Sequence, residues 1–184
     1  MMGTPAMTND LSVRFDGFSV SGVGRTILAN VWREACRPIE IQESLHKIGG
    51  ILAKLVPIGQ LFIRRIDQQR SYVETVAVGI SVPDYLLPDS RTECDGDQLK
   101  ELLAWCRKGQ LLQQGNSRFG RSLFATIVPS GVTADVVAGS LGDPANPSGV
   151  LVLVAQPGTN FDDSHVSLIE SLLEPFSAAL ENDQ

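Results

Sequence analysis

Gly149-Val-Leu-Val-Leu-Val-Ala155 is the stretch on which the fold turns. Seven residues without a polar side chain, mostly β-branched or leucine, describe a strand buried on both faces rather than one edge of a half-solvated sheet. A short polar connection follows, and then Phe161-Asp162-Asp163-Ser164 opens a helix. The two carboxylates sit at its positive end, and Phe161 is placed for a hydrophobic staple. Val166, Ile169, Leu173, Phe176 and Leu180 repeat at three, four, three and four, which is a helix seam over 162–182. Pro175 lies within the seam and should kink the helix or remove one backbone bond.

Working back along the chain, Ser122 to Pro129 and Thr133 to Leu141 read as strands, with 142–148 as a turn and 110–114 as a short strand. Asp95, Asp97 and Gln98 open a helix with Leu99, Leu102, Leu103 and Cys106 inward, and Lys108-Gly109 closes it. The stretch 79–96 reads as a long irregular connection, of the kind that carries function. Strands 60–67 and 71–78 form an antiparallel hairpin about Asp67-Gln-Gln-Arg70. Helix 39–55 carries a seam of Ile41, Leu45, Ile48, Leu52 and Leu55, with Gly49-Gly50 inside it. A first helix places Leu28, Val31, Trp32 and Ala35 on one face and ends before Pro38. Residues 1–24 read as a flexible arm, with Ser21 to Gly24 a connector and a β-hairpin over 11–20 about Asp16-Gly17. The domain proper is then 25–184. The expected class is α+β, an antiparallel sheet with the terminal helices on one face and a pocket covered by loop and helix on the other.

The closing residues carry a family resemblance. Gly149-Val-Leu-Val-Leu, Phe161-Asp-Asp, Leu168-Ile169, Leu172-Leu173 and Ala178-Ala179-Leu180-Glu181-Asn182 resemble the final strand and helix of GAF domains. Helix 39–55 followed by strand 60–67 resembles their opening. Pro175 ahead of Ala-Leu-Glu-Asn is similar to the GAF domains at the front of sigma-54-dependent transcription activators. The resemblance spans about residues 27–182. It implies a non-enzymatic cytoplasmic module that senses a small molecule and controls an attached AAA+ ATPase and DNA-binding output. The 184 residues contain no Walker motif and no basic recognition helix of their own. The alternatives are a dimerisation module of another signalling protein, such as a histidine kinase, or a thiol-based free methionine sulfoxide reductase.

Composition narrows the function classes. A net charge of -6 with four lysines argues against direct binding to nucleic acid, which needs a basic stripe. No apolar run reaches the roughly 18–20 residues of a membrane span, and Met1 to Asp10 lacks the features of a secretory signal. Three cysteines without CxxC or CxxH spacing make neither a disulfide framework nor a zinc site.

The candidate chemistry is sparse. His46 and His165 are the two histidines; both fall among polar neighbours on helices and read as solvent-facing, which disfavours a nucleophilic triad. Cys36, Cys94 and Cys106 are followed by Arg37, Asp95 and Arg107, not by the histidine that bilin-attaching GAF domains carry. The Asn-Lys-x-x-x-Phe signature of cyclic-nucleotide GAF domains is also missing, and the cofactor is unknown. Cys94, Asp95 and Asp97 have the donor types for iron, but the simpler reading makes an aspartate the helix cap and assigns no metal. A small ligand is expected against Tyr85, Arg91, Trp105, Arg118, Phe124 and Thr126, the aromatics supplying area and the arginines a fork for carboxylate or phosphate. The stripes of helices 27–36 and 162–182 suggest a homodimer packed through the terminal helices.

Overall fold

The apolar run at 149–155 becomes the middle of the sheet. In the computed structural model, which describes residues 22–35, 41–80, 91–114 and 120–183, strand β6 (Asn146–Ala155) pairs on one side with β1 (Ile58–Asp67) and on the other with β5 (Val136–Asp143). With β2 (Tyr72–Gly79), β3 (Arg91–Glu93) and β4 (Leu112–Gln113) the order is β3-β2-β1-β6-β5-β4, every neighbouring pair antiparallel.

The period-two alternation of the central strands divides two cores. Leu151, Leu153 and Ala155 of β6, with Leu61 and Ile63 of β1, face helices α1 (Gly22–Ala35), α2 (Ile41–Leu52) and α5 (Asp163–Asn182). Val150, Val152 and Val154, with Phe62 and Ile66, face helices α3 (Gly96–Lys108) and α4 (Arg121–Ile127). Both faces of the sheet are therefore covered, which is why β6 shows no polar alternation. The α+β class and the placement of the terminal helices on one face are as expected. Among the described residues, no helix is long and apolar enough to cross a membrane.

Several boundaries differ from the sequence reading. Helix α1 starts at Gly22, so 22–24 are helical rather than part of a connector. The proposed 11–20 hairpin and Cys36 lie outside the described residues. Leu55 falls past the end of α2 and is exposed, whereas Ile41, Leu45, Ile48 and Leu52 form the buried seam. The segment read as a strand over Ser122 to Pro129 is helix α4. Leu123 and Ile127 are buried one turn apart, and Pro129 restricts Val128 to the extended conformation that ends the helix. Strand β5 begins only at Val136.

Helix α5 keeps its 20 residues across the buried Pro175, which has no N–H to give the Ser171 carbonyl. Nearby, the Ser177 hydroxyl donates to the Leu173 carbonyl (2.7 Å) and accepts from the Gly142 N–H (2.9 Å), fastening the helix to the irregular end of β5. At its far end Asp183 accepts from the Ile41 N–H at the start of α2 (3.3 Å) and from Arg65 Nη2 of β1 (3.0 Å). One carboxylate thus joins α5, α2 and the sheet.

Candidate functional site

The α3/α4 face is built from the cap of α3 outward. Asp95 Oδ1 accepts from the backbone N–H groups of Asp97 (2.9 Å) and Gln98 (2.8 Å), and Gln98 Oε1 accepts from the Asp95 N–H (2.8 Å). This reciprocal capping box is how Asp95 is used; Asp97 points to Lys100 (3.2 Å). Among the described residues no group of three His, Cys, Asp or Glu side chains is arranged to hold a metal ion.

Between α4 and the sheet lies a fully buried arginine. Arg64 Nη1 donates to the carbonyls of Thr126 (3.3 Å) and Ile127 (2.9 Å), the last residues of α4. Its Nη2 donates to the Val73 carbonyl of β2 (3.1 Å) and to Thr92 Oγ1 of β3 (2.8 Å). The planar fork serves four acceptors on three elements, which an ammonium does not match in geometry. A cation at the carbonyl end of a helix also meets the negative end of its dipole.

Two clefts flank α4. One, of about 330 Å³, lies between β3 and the α4–β5 connection and is lined by Arg91, Thr92, Phe124, Ala125 and residues 128–132. The other, of about 310 Å³, lies between α3 and the start of α4 and is lined by Glu101, Ala104, Trp105, Lys108, Gln110, Gly120 and Leu123. Of the residues expected at the ligand, Arg91 and Phe124 meet in the first cleft and Trp105 stands in the second. Thr126 is buried between them, its hydroxyl donating to the Ser122 carbonyl (3.0 Å). Tyr85 and Arg118 lie outside the described residues. Arg91 is already engaged, stacked 4.0 Å over the Tyr72 ring and 3.6 Å from Glu74.

Glu101, Lys108, Gly120 and Arg64 were not anticipated. For Arg64 the signal is parity: it lies two residues from Phe62 and from Ile66 on one strand, so all three face the same way.

The two described thiols, Cys94 and Cys106, are both buried. Burial pushes the Cys94 thiol above its ordinary value, with the Arg64 guanidinium opposing this and Glu93 and Asp95 adding to it. Burial pushes Cys106 up to about 12. His46 is exposed, as expected, but His165 is partly buried: its ring stands edge-on to Phe161, centroids 6.5 Å apart, and its Nδ1 accepts from the Asp162 N–H (3.2 Å). Its position three residues after the cap places it in the capping box of α5, which explains the departure from a solvent-facing side chain.

No protein-family model matches the sequence, and no curated protein is significantly similar to it. Solved structures are similar in fold. The GAF domain of a phosphoenolpyruvate-protein phosphotransferase from Acinetobacter matches with a TM-score of 0.61 at 14% identity, over 88% of this chain and 95% of that one. A free methionine-R-sulfoxide reductase from Neisseria meningitidis, solved with its substrate, matches with a TM-score of 0.58 at 16% identity, over 91% and 95%. The phycoerythrobilin-bound GAF domain of a cyanobacterial phytochrome matches with a TM-score of 0.56 at 13% identity, over 89% and 97%. The fold is that of GAF domains. The GAF fold thus agrees with the resemblance read in the closing strand and helix. At these identities it shows architecture and leaves chemistry to the residues of this chain.

Proposed function

We propose that this GAF-fold chain is a non-enzymatic sensor module that takes a small molecule on its α3/α4 face and reports it through α5. The attached output, following the resemblance in sequence, is a sigma-54-dependent transcription regulator, and the location is cytoplasmic. The reading is carried by two adjacent arginines on β1. Arg64 ties α4, a wall of both clefts, to β2 and β3, while Arg65 reaches the opposite face and pairs with Asp183 at the end of α5. A ligand that binds one placement of α4 more tightly than another shifts that equilibrium, and β1 is shared with the output side. The half-buried Leu28 and Trp32 of α1 are the surface offered for a homodimer; analytical ultracentrifugation tests that part, a monomer at all concentrations removing it.

The reductase alternative requires an accessible thiolate of lowered pKa. Cys94 and Cys106 are both buried with raised values, which supports the non-enzymatic reading. Native mass spectrometry against the denatured mass is the direct test of the sensor. A retained mass of a few hundred daltons, or a small molecule that saturably raises the melting temperature, is the expected result. Methionine sulfoxide reduction abolished by Cys94→Ser overturns the reading in favour of the enzyme.

A further inference from the structure

We propose that the cleft between α3 and α4 binds a free α-amino acid as its zwitterion. The inference rests on the sensor reading only in taking this face as the ligand face; the residues themselves name the ligand. Trp105 is 3% exposed and lines this cleft, yet its indole Nε1–H has no hydrogen-bond partner. A buried indole N–H ordinarily finds an acceptor, because leaving it unpaired forfeits its hydration. Nothing among the described residues accepts from it, and the occupant of the cleft is its acceptor once the side chains that shield Nε1 from solvent move aside.

The charges around it come from one stripe of α3. Glu101, Ala104, Trp105 and Lys108 recur at three, four and seven residues, so the carboxylate and the ammonium stand two turns apart with the indole between. Neither Glu101 nor Lys108 is paired with another side chain among the described residues, whereas Lys100 on the same helix is held by Asp97. A simple anion is drawn by Lys108 and the indole N–H but repelled by Glu101. A simple cation meets the reverse. A zwitterion satisfies all three groups, its carboxylate accepting from Nε1–H and the Lys108 ammonium while its own ammonium donates to Glu101.

Size and shape agree. About 310 Å³ is at the small end of ligand sites, which fits an amino acid and not a nucleotide or a tetrapyrrole. Ala104 and Gly120 keep the cleft open, and Leu123 offers a wall for an apolar side chain. A Cβ at Gly120 would come within 2.8 Å of Glu101 Oε1, so glycine there leaves the carboxylate in place.

The chain has two tryptophans, so a Trp32→Phe variant leaves Trp105 as the sole indole reporter. This variant is titrated with the non-fluorescent common amino acids singly, and with butyrate and butylamine as half-ligands; calorimetry on the unaltered protein covers the aromatic amino acids and any failure of the variant to fold. The expected result is a saturable response to a subset of amino acids and to neither half-ligand. Glu101→Gln and Lys108→Met should each weaken it by about tenfold or more, Gly120→Ala should weaken it without lowering the melting temperature, and Lys100→Met, on the same helix outside the cleft, should leave it unchanged. Absence of any response in both assays overturns the proposal, as does a response that survives Glu101→Gln or is reproduced by butyrate alone. If another retained ligand is found meanwhile by native mass spectrometry, the sensor reading stands and only the amino-acid assignment falls.

Discussion

Arg64 is where one side chain does most to position the candidate site. Its guanidinium is fully buried and holds four oxygen acceptors, so removing it leaves carbonyls of α4 and β2 without their donor in a dry interior. Arg64→Met should lower stability by about 3 kcal/mol, read from the urea midpoint and slope. Arg64→Lys should recover only part of the loss, because one ammonium cannot span the α4, Val73 and Thr92 acceptors together. Cys106 gives a second prediction at this scale, in pH. Its thiol is raised from 9.0 to about 12 by burial, so between those values the unfolded chain has lost a proton that the folded chain keeps. The unfolded state then binds fewer protons, and stability must fall as pH rises. The contribution is whole below pH 9.0 and drains away towards about 12. The melting-temperature advantage of the unaltered protein over Cys106→Ala should therefore shrink from pH 8 to pH 11; an advantage that stays constant contradicts the assigned burial.

Where elements meet, the sheet tolerates no side chain. A Cβ at Gly149 would lie 2.6 Å from the Arg64 carbonyl of β1 and 2.6 Å from Leu180 of α5, and backbone cannot swing aside as a side-chain tip can. Gly149→Ala should cost about 1–3 kcal/mol in thermal or urea denaturation. Losing the α3 cap in Asp95→Ala should cost about 1 kcal/mol in the same assay. Elements with long periodic signals were legible in the sequence. The apolar run of β6 and the Asp95–Gln98 cap stand where their patterns put them, and the α5 seam does so at Ile169, Phe176 and Leu180, with Val166 and Leu173 only half-buried and Leu172 and Ala179 in the core. Helix α4 was not. Seven residues with Leu123, Ile127 and β-branched neighbours suit a strand or a helix equally by period, and the choice is made by packing against Arg64 and α3. The site was half legible for the same reason. Trp105 was among the aromatics sought as lining, whereas Glu101 and Lys108 beside it were not, because their helix was read for its apolar face and its ends.

At the scale of the whole molecule, the sheet separates the half that holds α3, α4 and their clefts from the half that holds α1, α2 and α5, and β1 touches both through neighbouring residues. Successive side chains on a strand point to opposite faces, so Arg64 and Arg65 can grip opposite layers with no intervening residue. The two grips differ in strength. Arg64 is dry and multiply bonded, while the Arg65–Asp183 pair is 3.0 Å long with a quarter to a third of each side chain exposed, where a single ion pair contributes little. The α3/α4 side is therefore held firmly and the α5 joint lightly. Hydrogen exchange separates the two halves. Asp183→Asn should speed exchange at the first turn of α2 and the last turn of α5, because Asp183 caps Ile41 as well as pairing Arg65, and should leave α4 protected. Arg64→Lys, the milder of its substitutions, should do the reverse first, exposing α4 and β3 before α2 responds. If the faces are coupled through β1, it should also speed exchange at the α5 end by a smaller factor; exchange there that stays at its original rate would show two independent halves sharing a sheet.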